Sequence, residues 1–193
     1  MILPIVAFGH PLLRKVAKEI EPGHHGLQEL IADMFETMYQ SQGVGLAAPQ
    51  VNQSIRLFIV DATPYGEDHP ELINFKRIFI NPYIIEESGE EWVFNEGCLS
   101  IPDIREDVSR KSRVRIQYQD TDFNDHEEVY EGIPARIIQH EYDHLEGKLF
   151  VDRISPLRKM LLKRKLNDIS TGNITISYKM IFPSIKKKAG IRV

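Results

Sequence analysis

The residues with the most chemical content in this 193-residue chain are His140-Glu141-Tyr142-Asp143-His144. In a helix, four residues advance by about 400°, so the two imidazoles lie on one face a turn apart and can share a metal ion. Glu141 lies about 100° round from His140, poorly placed to bind the same ion and well placed to reach a water on it. A catalytic ion usually has three protein ligands and an open position. No histidine follows His144, so the third ligand comes from upstream or from a downstream acid. Cys98, in Asn95-Glu96-Gly97-Cys98-Leu99-Ser100, is the outstanding candidate: thiolate binds soft or borderline ions tightly, and Gly97 permits close backbone approach. A thiolate leaves a divalent ion with a formal charge of about +1, weakening its Lewis acidity, so further help at a carbonyl would be useful. The segment Gly43-Val-Gly-Leu-Ala-Ala-Pro-Gln50 can lie along an extended substrate, with Gln50 donating its amide to a developing oxyanion, a contact worth roughly 3 to 4 kcal/mol.

Competing readings give these residues other work. Both histidines can be satisfied polar groups of an amphipathic helix, and Gly43 to Gln50 can be a plain helix-ending loop. The spacing Gly43, Gly45, Ala48 mimics a dinucleotide fingerprint, but a helical pattern precedes it and Pro49 spoils the helix that should come after it, so a nucleotide site is rejected. A zinc endopeptidase shares the two-histidine helix but commonly takes its third ligand from downstream. A structural metal site would want a fourth protein ligand, and no second cysteine exists to provide it.

The elements that must position these groups are read from periodicity. Leu27, Leu30, Ile31, Met34, Phe35 and Met38 fall at helical spacing. Arg56 to Val60, Arg77 to Ile85 and Arg113 to Tyr118 read as strands, separated by turn signals at Ser88-Gly89 and Asn124-Asp125 that favour antiparallel pairing. A helix from near Pro134 to Gly147 carries the histidine pair. A basic helix runs from Pro156 to about Leu166, and Asn173 to Phe182 reads as a late strand before Lys186-Lys187-Lys188. The expected fold class is α+β, with antiparallel sheets packed around a central helix that carries the pair. One catalytic domain should cover residues 1 to 193, with a basic C-terminal helix and strand-like tail from about 155.

Composition sets the outer bounds. The single cysteine has no intrachain partner, which fits a reducing compartment. No apolar run approaches the roughly 20 residues of a membrane span, and Met1-Ile2-Leu3-Pro4 lacks a basic lead-in, so a cytoplasmic location is expected. Residues 1 to 150 hold 13 basic against 26 acidic residues, and residues 151 to 193 hold 11 against 2. An acidic body thus carries a basic tail, which either seeks a polyanion or is simply solvated. His10, His24, His25, His69 and His126 have no partners at ligand spacing and read as surface or packing residues.

Taken together, Gly43 to Gln50, Glu96-Gly-Cys-Leu-Ser100 and Gln139-His-Glu-Tyr-Asp-His144 resemble the three signature motifs of bacterial peptide deformylase, in that family's order and at similar separations. The resemblance extends from Pro4 to about Ser155. It implies metal ligands at Cys98, His140 and His144 and a general acid/base at Glu141. It also implies oxyanion donors at the Gln50 side chain and the Leu99 backbone N–H, and a substrate-backbone contact at Gly45. Arg105 matches a position near the peptide exit side. The activity implied is removal of the formyl group from the initiator methionine of new bacterial proteins. The methionine side chain then needs an apolar pocket, for which Ile137 and Ile133, three and seven residues before His140, are candidates with Phe94 and Val44. The implied metal is ferrous iron, with nickel, cobalt or zinc able to occupy the site. The implied partners are N-formylmethionyl nascent peptides, with no membrane and no DNA. Because such substrates emerge from ribosomes, the basic tail is expected to lie against ribosomal RNA.

Overall fold

Alternation of apolar side chains along a short, fully buried strand organises the molecule. The computed structural model describes residues 1–183. Strand β3 (Leu57–Asp61) sends Phe58 and Val60 into one apolar cluster and Leu57 and Ile59 into another. Successive strand residues point to opposite faces, so a strand covered on both sides is apolar on both, as here from Leu57 to Val60. One cover is helix α1 (Leu27–Gln40), whose Ile31, Met34 and Met38 pack with Leu57 and Ile59. The other is helix α2 (Gly132–Leu145), whose Ala135, Ile138 and Leu145 pack with Phe58 and Val60.

Around β3 runs a five-stranded antiparallel sheet in the order β2 (Gly45–Ala47), β3, β4 (Lys76–Cys98), β5 (Ile101–Gln119), β6 (Asp125–Glu131). A second, two-stranded sheet pairs β1 (Ile5–Val6) in parallel with β7 (Met180–Ile181), beyond helix α3 (Pro156–Ser170). The architecture is α+β, as expected from closely spaced turn signals that favour antiparallel pairing.

Several expectations are corrected. Ser88-Gly89 is not a turn: β4 continues through it, with a bulge between Ser88 and Glu91 where two residues oppose the single Ser112. Gly89 takes the left-handed φ of +79° that this bulge uses. The exposed glutamates after Ile85 hid the strand, because one face of this ribbon meets solvent. Gly45 to Ala47, read as backbone able to lie along an extended substrate, forms β2, against the competing helix-ending loop, and β6 was not foreseen. Helix α3 runs on to Ser170, and of Asn173 to Phe182 only Met180–Ile181 pairs as strand. The segment between them still alternates, with Ile174, Ile176 and Tyr178 half-buried and Ser177 and Lys179 exposed. Lys186-Lys187-Lys188 lies outside the described residues.

Candidate metal centre

Helix α2 carries His140 and His144 one turn apart, ring centroids 5.3 Å from each other. Its C-terminal end is fixed by Gly147, whose φ of +67° allows the Gly147 N–H to reach the His144 carbonyl and the Lys148 N–H to reach the Asp143 carbonyl. These two bonds are the pair that closes a Schellman cap, and they hold the last turn, where His144 sits, in register. The N-terminal end starts at Gly132, two residues ahead of Pro134.

Cys98 is the last residue of β4, opposite Ile101 across a tight turn through Leu99 and Ser100. The turn is held from outside: the Phe8 N–H donates to the Ser100 carbonyl at 2.8 Å, and the Tyr178 hydroxyl donates to the Leu99 carbonyl at 2.8 Å. The sulfur lies 3.4 Å from His144 Nε2, and ligand atoms of Cys98, His140 and His144 all fall within 4.8 Å of one another. Among the described residues this is the group of metal-ligating side chains so gathered.

Gln50 ends the stretch that crosses in front of the sulfur. Its side-chain oxygen accepts from the Ala47 N–H at 2.9 Å, which turns the amide nitrogen toward Cys98 Sγ at 3.4 Å and Ser100 Oγ at 3.3 Å. Glu141 is 4% exposed, and its Oε2 is a buried oxygen without a hydrogen-bond partner. Burial, with the Glu96 and Asp143 charges adding, pushes its pKa up to about 7 against the pull of His140. Beside it Gly45 leaves no room for a side chain: a Cβ there would meet Glu141 Cδ at 2.8 Å.

Behind the ligands lies a buried ionic network that sequence reasoning missed. Glu96 accepts from His140 Nδ1 at 2.9 Å, from Arg110 at 2.6 and 2.9 Å, and from Arg136 at 2.9 Å. Arg110 also reaches Asp143 at 2.7 Å, which Arg153 grips at 2.6 and 2.7 Å. With its Nδ1 committed to Glu96, His140 turns Nε2 toward the sulfur side, the orienting arrangement common to metal-bound histidines. Glu96 resists the cost of burial because Arg110 and His140 hold its carboxylate well below the usual range. Burial and the proximity of His140 bring His144 down to about 3, so it stands as a neutral imidazole. Burial also opposes charge on His140, but the Cys98 sulfur and Glu96 carboxylate raise its pKa well above the ordinary value. Two imidazoles and a sulfur gathered beside the cleft are the donors a cation would find there. A signal for this network existed in part: Arg110 shares strand parity with the buried Ile104 and Val108.

The site opens into a cleft of about 530 Å³ lined by Val44, Gly45, Gln50, Phe94, Leu99, Arg105 and Ile137 along with the Cys98, His140 and Glu141 group. Arg105 is exposed at the mouth, held to Asn95 by bonds of 2.9 and 2.6 Å. Ile133 is not among the lining residues; it packs on the Phe58 and Phe79 cluster instead. Seven residues restore its angle on the helix but displace it by about 10 Å along the axis. The cleft also takes Ile176, Ser177 and Tyr178 from the segment beyond α3, which sequence reasoning did not connect to it.

Residues 2–160 match the family model described as polypeptide deformylase. The peptide deformylase of Christiangramia forsetii is 52% identical over 194 residues, covering 97% of this chain and 99% of the relative. That of Flavobacterium johnsoniae is 54% identical, with the same coverage. Among solved structures, a peptide deformylase from Legionella pneumophila superposes with a TM-score of 0.79 at 39% identity, covering 92% of this chain and all of that one. One from Plasmodium falciparum gives 0.78 at 40% identity, covering 87% of this chain and 95% of that one.

Proposed function

Because the chain belongs to the polypeptide deformylase family, we propose that its deformylation chemistry is carried by Cys98, His140, His144, Glu141, Gln50 and Leu99. The chain is a metal-dependent hydrolase that removes the N-terminal formyl group of nascent polypeptides, acting in bacterial protein synthesis. The observation that supports this assignment of roles is the convergence of one sulfur and two imidazoles within 4.8 Å beside a buried carboxylate with an unpartnered oxygen.

Cys98, His140 and His144 would hold the ion, whose donor set of one thiolate and two imidazoles leaves a position open. When bound, a divalent ion supplies Lewis acidity and lowers the pKa of a water. Glu141, poised near neutrality by burial, accepts the proton of the attacking water and later returns one to the leaving amine nitrogen. Negative charge building on the formyl oxygen meets two donors, the Gln50 amide and the Leu99 N–H. Val44, Phe94 and Ile137 receive the methionine side chain, Gly45 lies along the substrate backbone, and Arg105 stands where the peptide leaves. The whole chain acts as one catalytic unit in this reading.

The ion is ferrous iron in the cell. The soft thiolate favours a transition metal over magnesium or calcium, and nickel, cobalt or zinc would fit the same donors. The protein works in the cytoplasm; among the described residues no helix is long and apolar enough to cross a membrane. The basic C-terminal region contacts the ribosome, with Lys163, Arg164 and Lys165 exposed on α3. Reversing these three charges should weaken co-sedimentation with ribosomes at low and moderate salt, and unchanged co-sedimentation would remove that assignment.

The central test is formate release from formyl-Met-Ala-Ser, with Met-Ala-Ser cleavage measured in parallel. Glu141→Ala should retain the metal and lose about 10²- to 10⁴-fold in kcat. Loss of the ion in that variant, or undiminished turnover, would refute the assigned role.

A further inference from the structure

Among the described residues, the segment beyond α3 reaches back to the catalytic turn through one side-chain bond. Tyr178 is half-buried in the cleft wall and donates its hydroxyl to the Leu99 carbonyl at 2.8 Å. The next residues are locked in place: the Ile5 N–H donates to the Lys179 carbonyl and the Ala7 N–H to the Ile181 carbonyl, both at 2.8 Å. The residue after Ala7 is Phe8, whose N–H holds the Ser100 carbonyl. Both carbonyls of the Leu99-Ser100 turn are therefore fixed by one unit, the β1–β7 pair. The Leu99 carbonyl and the Leu99 N–H belong to neighbouring peptide planes joined at one Cα, so fixing the carbonyls after that joint limits how far the plane that carries the Leu99 N–H can tilt.

We propose that Tyr178 is a positioning residue for deformylation: by holding the Leu99 carbonyl it aims the Leu99 N–H at the developing oxyanion. This rests on the oxyanion-donor role proposed for Leu99. Preorganised donors act chiefly in the transition state, so weakening the hold lowers kcat and leaves KM nearly unchanged. The hydroxyl makes one neutral hydrogen bond, whose loss corresponds to a factor of about 3 to 10. A residue that merely filled the wall would show no such split.

The test uses the full-length, metal-loaded enzyme and Tyr178→Phe, which removes the hydroxyl and keeps the ring. Turnover of formyl-Met-Ala-Ser by the unaltered protein is measured first, and its absence would sink the family-based reading, a failure separate from the one sought here. Expected for Tyr178→Phe are a 3- to 10-fold fall in kcat, KM within twofold, and faster amide hydrogen exchange at Leu99 and Ser100. A Gln50→Ala background should change the size of the Tyr178→Phe effect, since both donors then serve the same oxyanion. Unchanged kcat, a rise in KM alone, or unchanged exchange at the turn would each overturn the proposal. Should Tyr178→Phe fold poorly, Tyr178→His, whose shorter ring cannot reach the Leu99 carbonyl, takes its place: a fall in kcat with faster exchange at Leu99 and Ser100 supports the proposal, and retained kcat with slow exchange overturns it.

Discussion

Replacing Gly45 by alanine offers a sharp trial of the geometry around Glu141. Gly45 lies in β2, where an alanine is conformationally ordinary, so backbone strain is not at issue. The added methyl would lie 2.8 Å from Glu141 Cδ and 2.9 Å from its Cγ, where carbon pairs prefer about 3.5 to 4.0 Å. The carboxylate must retreat by about 1 Å. Displacement of that size at a reacting group costs about 100-fold in rate. Because the metal ligands are elsewhere, metal content should stay at one ion per chain, and the urea midpoint should stay near that of the parent. The assay is kcat for formate release, with metal analysis on the same preparation. A kcat within threefold of the parent would show that the position of Glu141 does not limit the chemistry, and the argument would fall. Loss of the ion would show instead that the methyl disturbed the ligands.

The packing sets three further outcomes. Arg110→Met leaves the buried Glu96 and Asp143 carboxylates undercompensated and should cost about 3 to 5 kcal/mol of stability in metal-free protein, read by urea unfolding. Gly147→Ala forces a side chain into left-handed φ and places it 2.8 Å from the Arg14 carbonyl carbon, so a loss of at least about 2 kcal/mol is expected by the same measurement. Asp152 is partly buried, yet bonds from Arg14 and the Leu149 N–H hold its pKa below the ordinary value. Its folded pKa lies below its unfolded one, so the stabilisation is complete above about pH 4 and disappears as pH falls through the folded value. Urea midpoints of metal-free protein from pH 6 to pH 2 should fall less steeply in Asp152→Asn than in the parent; identical slopes would refute the assignment.

The sequence was most legible where chemistry is local. Residue type and helical spacing place His140, Glu141 and His144 on one element without knowledge of the rest of the fold. Cys98 was reachable because a two-histidine site asks for a third donor. Ile133 shows the limit of the same reasoning, since angle on a helix says nothing about height along it. The Glu96, Arg110 and Asp143 network was legible only in the buried parity of Arg110, because its bonds join β4, β5 and α2, and no local pattern names the partners in such a meeting. The tail was half legible: its alternation is real, but pairing depends on Ile5 and Val6 at the far end of the chain.

The parallel pairing of Ile5–Val6 with Met180–Ile181 ties the order of assembly to the order of synthesis. The first strand leaves the ribosome early and waits for a mate made after nearly every other described residue. Until then the carbonyls of Leu99 and Ser100 do not both have their donors, and one flank of the cleft is missing. A nascent copy therefore completes that flank of its cleft only once Tyr178 to Ile181 have been made, long after Cys98, His140, Glu141 and His144.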